Sequence, residues 1–161
     1  MTIDVGHRLP DATLLRMGPD GPSTEDLTSH LAGRKVVIFG VPAAFSPTCQ
    51  TAHVPSFIRV MEGLRDKGVD AVICLSVNDP HVMAAWSEAT GAAVAGIAML
   101  ADADGAFTKA IGMDFDAPAV GFHGRSKRYA LAAEDGVVTV WHPEPKRGCA
   151  VSSGEAMLAA L

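Results

Sequence analysis

Lys35-Val-Val-Ile-Phe-Gly-Val41 runs directly into Pro42-Ala-Ala-Phe-Ser-Pro-Thr-Cys49, and these fifteen residues decide the reading of the chain. The first seven form a short apolar run rich in β-branched residues, the pattern of a strand buried on both faces. Pro42 ends it, because proline has no N–H for a sheet ladder. Ala43-Ala-Phe-Ser46 carries the chain into a helix. Ser46 stands at the N-cap position and Pro47 at N1, both preferred there. Cys49 then falls in the first turn, where unsatisfied backbone N–H groups and the positive end of the helix dipole both favour thiolate over thiol.

Outward from this point the pattern continues. Phe57, Val60, Met61 and Leu64 repeat at the spacing of a core-facing helix. Pro55 predicts a kink in it, and Gly68 predicts its end. A second buried strand is expected over 69–77. Asp79 with Pro80 predicts a capped helix to about Thr90, and Ile97–Ala101 a third strand. Tyr129–Ala133 and Val137–His142 flank Glu134-Asp-Gly136, a hairpin signal. Ser152-Ser-Gly-Glu155 has the form of a capping box opening a last helix. The first 30 or so residues, with Pro10, Pro19, Gly21 and Pro22, read as loop-rich. The order strand–helix–strand, then hairpin and helix, predicts an α/β sandwich: a central mixed sheet flanked by helices. A thioredoxin-like fold fits, and on pattern alone a flavodoxin-like sheet fits nearly as well.

The bulk properties narrow the function. The chain has 161 residues, which suits one domain spanning 1–161. It is 48% hydrophobic and 19% charged, a globular balance. A net charge of −5 argues against non-specific binding to nucleic acid or an anionic membrane. No apolar run is long enough to span a bilayer. The opening residues show no basic segment followed by an apolar one, so a cytoplasmic location is expected. Three cysteines, an odd number in a chain large enough to build a core, point to reactive or buried thiols rather than a disulfide framework.

Pro42-Ala-Ala-Phe-Ser-Pro-Thr-Cys49, followed by His53, Pro55 and Phe57, resembles the active-site pattern of the peroxiredoxins, in particular their type II or type-5-like branch. Cys74-Leu-Ser-Val-Asn-Asp79, Leu100-Ala-Asp-Ala-Asp-Gly-Ala-Phe107, Arg125-Ser-Lys-Arg-Tyr129 and Asp135-Gly136 extend the similarity along nearly the whole chain. Ser46 stands where that branch has threonine, and Ala43 and Ser56 where it has glycine. The resemblance implies the thioredoxin-like fold. It also implies a thiol-dependent peroxidase acting in antioxidant defence on hydrogen peroxide and small alkyl hydroperoxides. Cys49 would attack the peroxide and become a sulfenic acid. Ser46 would hold the peroxide, Arg128 would stabilise thiolate and leaving oxygen, and Pro42 would shield the site. A thioredoxin or glutaredoxin needs a Cys-x-x-Cys pair, or at least its first cysteine, and Ser46 occupies that position.

The remaining candidates follow from the same resemblance. His53 shares a helix face with Cys49 and reads as structural or supporting. A metal site at Cys49 and His53 would need further ligands that the spacing does not offer, so no metal and no bound cofactor are expected. Two thiols are candidates to resolve the sulfenic acid. Cys74 matches the resolving position of plant-like members but taken alone reads as a buried, inert cysteine. Cys149 lies in the C-terminal region where animal members carry theirs. Glutathione, glutaredoxin or thioredoxin is the expected reductant, and a homodimer the expected assembly. Arg125 and Lys127 read as solvated charges. Two other readings rest on the same cysteine: a redox-sensing binding or scaffold protein switched by Cys49 oxidation, and a Cys–His hydrolase.

Thiolate formation and peroxide activation differ in weight. A free thiol of pKa about 8.5 is roughly 3% ionised at pH 7. Lowering a thiol's pKa by about 2.5 units raises the thiolate some 30-fold but lowers its intrinsic nucleophilicity roughly tenfold. The net gain is a few-fold, so most of the acceleration must come from binding and polarising the peroxide.

Overall fold

Lys35–Val41 is a strand at the middle of the molecule, and every residue from Val36 to Val41 is buried. The computed structural model describes residues 2–161. In chain order it contains β1 (Thr13–Gly18), β2 (Gly21–Asp26), α1 (Leu27–Leu31) and β3 (Lys35–Val41), then a π-helical turn over Cys49–His53. There follow α2 (Val54–Asp66), β4 (Ala71–Ser76), α3 (Pro80–Thr90), α4 (Ala92–Ala95), β5 (Ile97–Ala101) and α5 (Ala106–Ala110). A hairpin, β6 (Asp114–Ala117) and β7 (Phe122–Ser126), precedes β8 (Tyr129–Glu134), β9 (Val137–Pro143) and α6 (Gly154–Ala160). The main sheet has seven strands in the order β2-β1-β5-β4-β3-β8-β9. β3, β4 and β5 run parallel, and the neighbours added outside them pair antiparallel. This is the predicted mixed sheet.

Two apolar layers hold it, and the two-residue period of the strands sorts side chains between them. Val37, Phe39 and Val41 of β3 face one layer with Val72 and Cys74 of β4, against Phe57, Met61 and Leu64 of α2 and Met157 of α6. Val36 and Ile38 face the other layer, with Ile73, Leu75, Leu131 and the α1 residues Leu27 and Leu31. Strands covered on both sides need no polar face, which is why β3 and β4 read as unbroken apolar runs.

Asp79 accepts from the Val82 N–H to cap α3. At the end of α2, the Val69 N–H bonds to the Leu64 carbonyl and the Gly68 N–H to that of Arg65, with Gly68 at φ 84°. That paired pattern needs a residue in the left-handed region, as glycine permits. The irregularity expected from Pro55 falls on the turn before it: the Val54 N–H reaches back to the Cys49 carbonyl, a π-type bond.

Two expectations need correction, and one element was not anticipated. The segment before β3 is not mainly loop, because β1 and β2 form a six-residue-a-side hairpin. β2 is an edge strand that lacks the apolar alternation by which a strand is read, and it accommodates Pro22. The β6–β7 hairpin also went unforeseen, since its strands are short and lie outside the main sheet. Finally, the N-cap of α6 is Ser153, which accepts from the Ala156 N–H, and not Ser152. The capping box therefore does not form, and Glu155 pairs with Arg59 instead.

Candidate active site

Three chain segments converge on the Cys49 sulfur. The turn after β3 supplies Pro42 and Ser46, the π-helical turn supplies Cys49 and His53, and the residue before β8 supplies Arg128. Strand register delivers the arginine. Gly40 of β3 pairs with Tyr129 of β8, which leaves Arg128 level with Val41 at the sheet end from which the Pro42 loop departs. Glycine at position 40 leaves room for the Tyr129 ring, with which a Cβ there would clash.

Cys49 is fully buried. Ser46 Oγ lies 2.8 Å from its Sγ and 2.9 Å from the Ala43 carbonyl, so one hydroxyl hydrogen can serve either. Arg128 Nη2 donates to the same sulfur at 3.1 Å. The Gln50 N–H bonds to the Ser46 carbonyl, so the helix begins at the predicted residue. The serine side chain, however, is turned to the sulfur instead of capping the backbone. Phe45, beside it, holds φ 64°, a value that non-glycine residues rarely adopt.

His53 is fully buried, and both ring nitrogens are engaged. Arg128 Nη1 donates to Nδ1 at 2.9 Å, and Nε2 lies 2.9 Å from the Ser152 carbonyl. A guanidinium only donates and a carbonyl only accepts, so Nε2 carries the hydrogen. Burial, and the adjacent Arg128 charge, push the imidazole pKa down to about 3, so the ring is neutral. A neutral histidine occupied on both sides cannot serve as a general base to Cys49, which removes the hydrolase reading.

A cleft of about 610 Å³ opens onto Pro42, Ser46 and Arg128. Phe115 and Phe122 of the β6–β7 hairpin give the cleft an apolar lining, and the segment 145–148 lines it too. Lys127 is exposed at the rim, as expected. Arg125 is not a free surface charge: Nη1 donates to the Val77 carbonyl at 2.9 Å, and the guanidinium lies over Phe122.

Neither of the other two cysteines hydrogen-bonds to Cys49, Ser46 or Arg128. Cys74 is fully buried in β4, paired with Phe39 on one side and Met99 on the other. Burial drives its pKa strongly up. Cys149 is half-buried, with Sγ 4.0 Å from Ser152 Oγ, and burial raises its pKa too. All three thiols are free.

The structure gives site contacts to residues for which the sequence suggested none. Asn78 Oδ1 accepts from the Ala44 N–H at 3.0 Å and from Ser76 Oγ, which fixes the Pro42–Ser46 loop to the end of β4. Gln50 Oε1 accepts from Trp86 Nε1 at 2.9 Å, tying the cysteine's turn to α3. Ser152 presents its carbonyl to His53. A lone Asn after a strand was a legible turn signal, but its partner was not. Among the described residues, no three His, Cys, Asp or Glu gather as a metal site, and no helix is long and apolar enough to cross a membrane.

Comparison with known proteins places the chain in a family. The Redoxin family matches residues 4–158. Peroxiredoxin-2E-2, chloroplastic, of Oryza sativa subsp. japonica is 47% identical over 99% of this chain and 73% of its own length. Peroxiredoxin-2B of Arabidopsis thaliana is 42% identical over 99% and 98%. The crystal structure of reduced Prx3 from Vibrio vulnificus in complex with hydrogen peroxide superposes with a TM-score of 0.92 at 44% identity, covering 99% of each chain. The chain thus has counterparts along its whole length in sequence and in fold, and it belongs to the peroxiredoxins, the thiol-dependent peroxidases of the redoxin family.

Proposed function

We propose that Cys49 is the residue oxidised by the peroxide, that Ser46 and Arg128 activate the substrate, and that an external thiol completes the cycle. The observation that carries this reading is the pair of donors, Ser46 Oγ and Arg128 Nη2, converging on one sulfur. The Cys49 thiolate attacks one peroxide oxygen. An S–O bond forms as the O–O bond breaks, the sulfur is oxidised by two electrons, and the leaving oxygen takes a proton to give water or an alcohol. Donors already aimed at the sulfur are placed to follow the negative charge as it moves onto the peroxide. The apolar lining of Phe115 and Phe122 suits small alkyl hydroperoxides as well as hydrogen peroxide, and Pro42 closes one side.

For the second half of the cycle we favour glutathione, alone or with glutaredoxin, over thioredoxin. Cys74 is locked between two neighbouring strands and Cys149 is only half exposed, so neither is poised to reach Cys49. One thiol would condense with the sulfenic acid to give a mixed disulfide and water, and a second would release Cys49 as thiol. Three free cysteines suit a reducing compartment such as the cytoplasm. Pairing into a homodimer would cover the exposed Phe45 and Val120. A scaffold switched by Cys49 oxidation finds no support among the relatives.

Two measurements test this reading. Stopped-flow oxidation of Cys49 by hydrogen peroxide should far outpace that of free cysteine, and a rate no greater would leave only the scaffold reading. Intact mass after stoichiometric peroxide and then glutathione should show a single glutathione adduct. Loss of two hydrogens without an adduct would instead assign Cys74 or Cys149 as the resolving thiol.

A further inference from the structure

Arg128 is held from behind by a closed ring of hydrogen bonds that begins and ends on the arginine itself. The Glu144 N–H donates to the Arg128 carbonyl at 3.0 Å. Glu144 Oε1 accepts three bonds from the segment ahead of α6: the Ala150 N–H at 2.7 Å, the Ser152 N–H at 2.8 Å and Ser152 Oγ at 2.8 Å. The Ser152 carbonyl takes the His53 Nε2 hydrogen, and His53 Nδ1 takes one from Arg128 Nη1. The other guanidinium arm meets the Cys49 sulfur. Ser152 and His53 are both fully buried.

We propose that Glu144 is a positioning residue for peroxide reduction, its carboxylate holding the Ser152 carbonyl where it fixes the His53 tautomer that anchors Arg128. The physical reason lies in the histidine. Arg128 needs a lone pair at Nδ1, and a neutral imidazole offers one there only while its hydrogen is on Nε2. A buried carbonyl facing Nε2 enforces that tautomer. If the carbonyl moved away, the hydrogen could shift to Nδ1 and meet the guanidinium donor to donor. The carbonyl belongs to an irregular segment, which has no ladder or helix of its own to keep it in place. The three bonds to one carboxylate oxygen supply that constraint, and bonds to a charged acceptor are stronger than neutral ones.

This inference rests on Arg128 acting on the reacting atoms, so the test includes an arm for that assumption. The second-order rate of Cys49 oxidation by hydrogen peroxide is measured at a pH high enough for the thiol to be fully ionised. Glu144→Ala should lower it about tenfold, the equivalent of about 1.4 kcal/mol in the barrier. Ser152→Ala removes only one of the three donors and should stay within about threefold of wild type. Glu144→Gln keeps an acceptor oxygen, should recover most of the rate, and serves if the alanine variant folds poorly. Arg128→Met should itself be slow, and adding Glu144→Ala to it should cost no more than about a further twofold. Nitrogen-15 spectra of His53 give a readout separate from activity: wild type should show a protonated Nε2 and a bare Nδ1, and Glu144→Ala should mix the two. An unchanged rate or an unchanged His53 spectrum in Glu144→Ala overturns the proposal, as does a full tenfold loss in the Arg128→Met background. If Arg128→Met is as fast as wild type, the role given to Arg128 falls first and this proposal with it.

Discussion

Cys49 and Cys74 are both fully buried, and both sit in the same apolar layer between β3, β4 and α2. Their surroundings differ in one respect. The Cys49 sulfur touches a hydroxyl and a guanidinium, whereas Cys74 stands in a ladder between Phe39 and Met99. For Cys74, burial outweighs the opposing Arg128 charge, and the thiol is driven toward its neutral form. Polar partners, and not exposure, distinguish the two sulfurs. The π-helical turn is the local feature that brings the first of these cysteines within reach of both donors.

The sharpest way to break this comparison is to remove each sulfur in turn. Cys49→Ser should abolish peroxide consumption in a coupled turnover assay, while Cys74→Ser should keep it. Appreciable turnover in Cys49→Ser would end the assignment. The next largest effect is on Ser46. A single donor to developing charge is worth about 10²–10³ in rate. Ser46→Ala should lower the rate constant of the fully formed thiolate by about that factor. Ser46→Thr, which keeps the hydroxyl, should retain most of the activity. If Ser46→Ala leaves that limiting rate intact, the serine acts only on the loop or on thiolate formation.

Acid stability probes the support behind the reactive cysteine. His53 binds a proton in the unfolded chain below its ordinary 6.5, but in the folded chain only below about 3. The unfolded state therefore holds more protons across this window, and stability must fall as pH drops through it. At pH 5 the loss amounts to roughly 2 kcal/mol. Urea denaturation from pH 7 to 4 should show this slope, and His53→Gln should flatten it. An equal slope in both proteins would mean that His53 is not held neutral.

Cys74→Ala should produce the smallest effect. It removes one sulfur from a packed layer and should lower stability by about 1–2 kcal/mol. The rate of peroxide attack should stay within about twofold of wild type. Cys74→Ser should cost more stability than alanine, because its hydroxyl would be buried among apolar side chains. Thermal unfolding of the two variants checks the order, and a large rate loss in Cys74→Ala would show that the two cysteines are coupled.

Much of this molecule was written in local sequence. The apolar run of β3, the Asp79-Pro80 start of α3, the Gly68 stop of α2 and the Glu134-Asp-Gly136 hairpin depend on residues a few positions apart, so periodicity and capping rules read them directly. The motif from Pro42 to Cys49 marked the candidate cysteine and its serine for the same reason. Tertiary structure decided what was not local. Arg128 meets Cys49 and His53 across sequence separations of 79 and 75, and His53 meets Ser152 across 99. No pattern of neighbours specifies such pairs; the register of β8 against β3 and the docking of α6 on α2 do. Ser152 shows the difference most clearly. In sequence it reads as a helix cap, but the cap passes to Ser153, because the Ser152 N–H and hydroxyl are taken by Glu144 and its carbonyl by a histidine from another part of the chain.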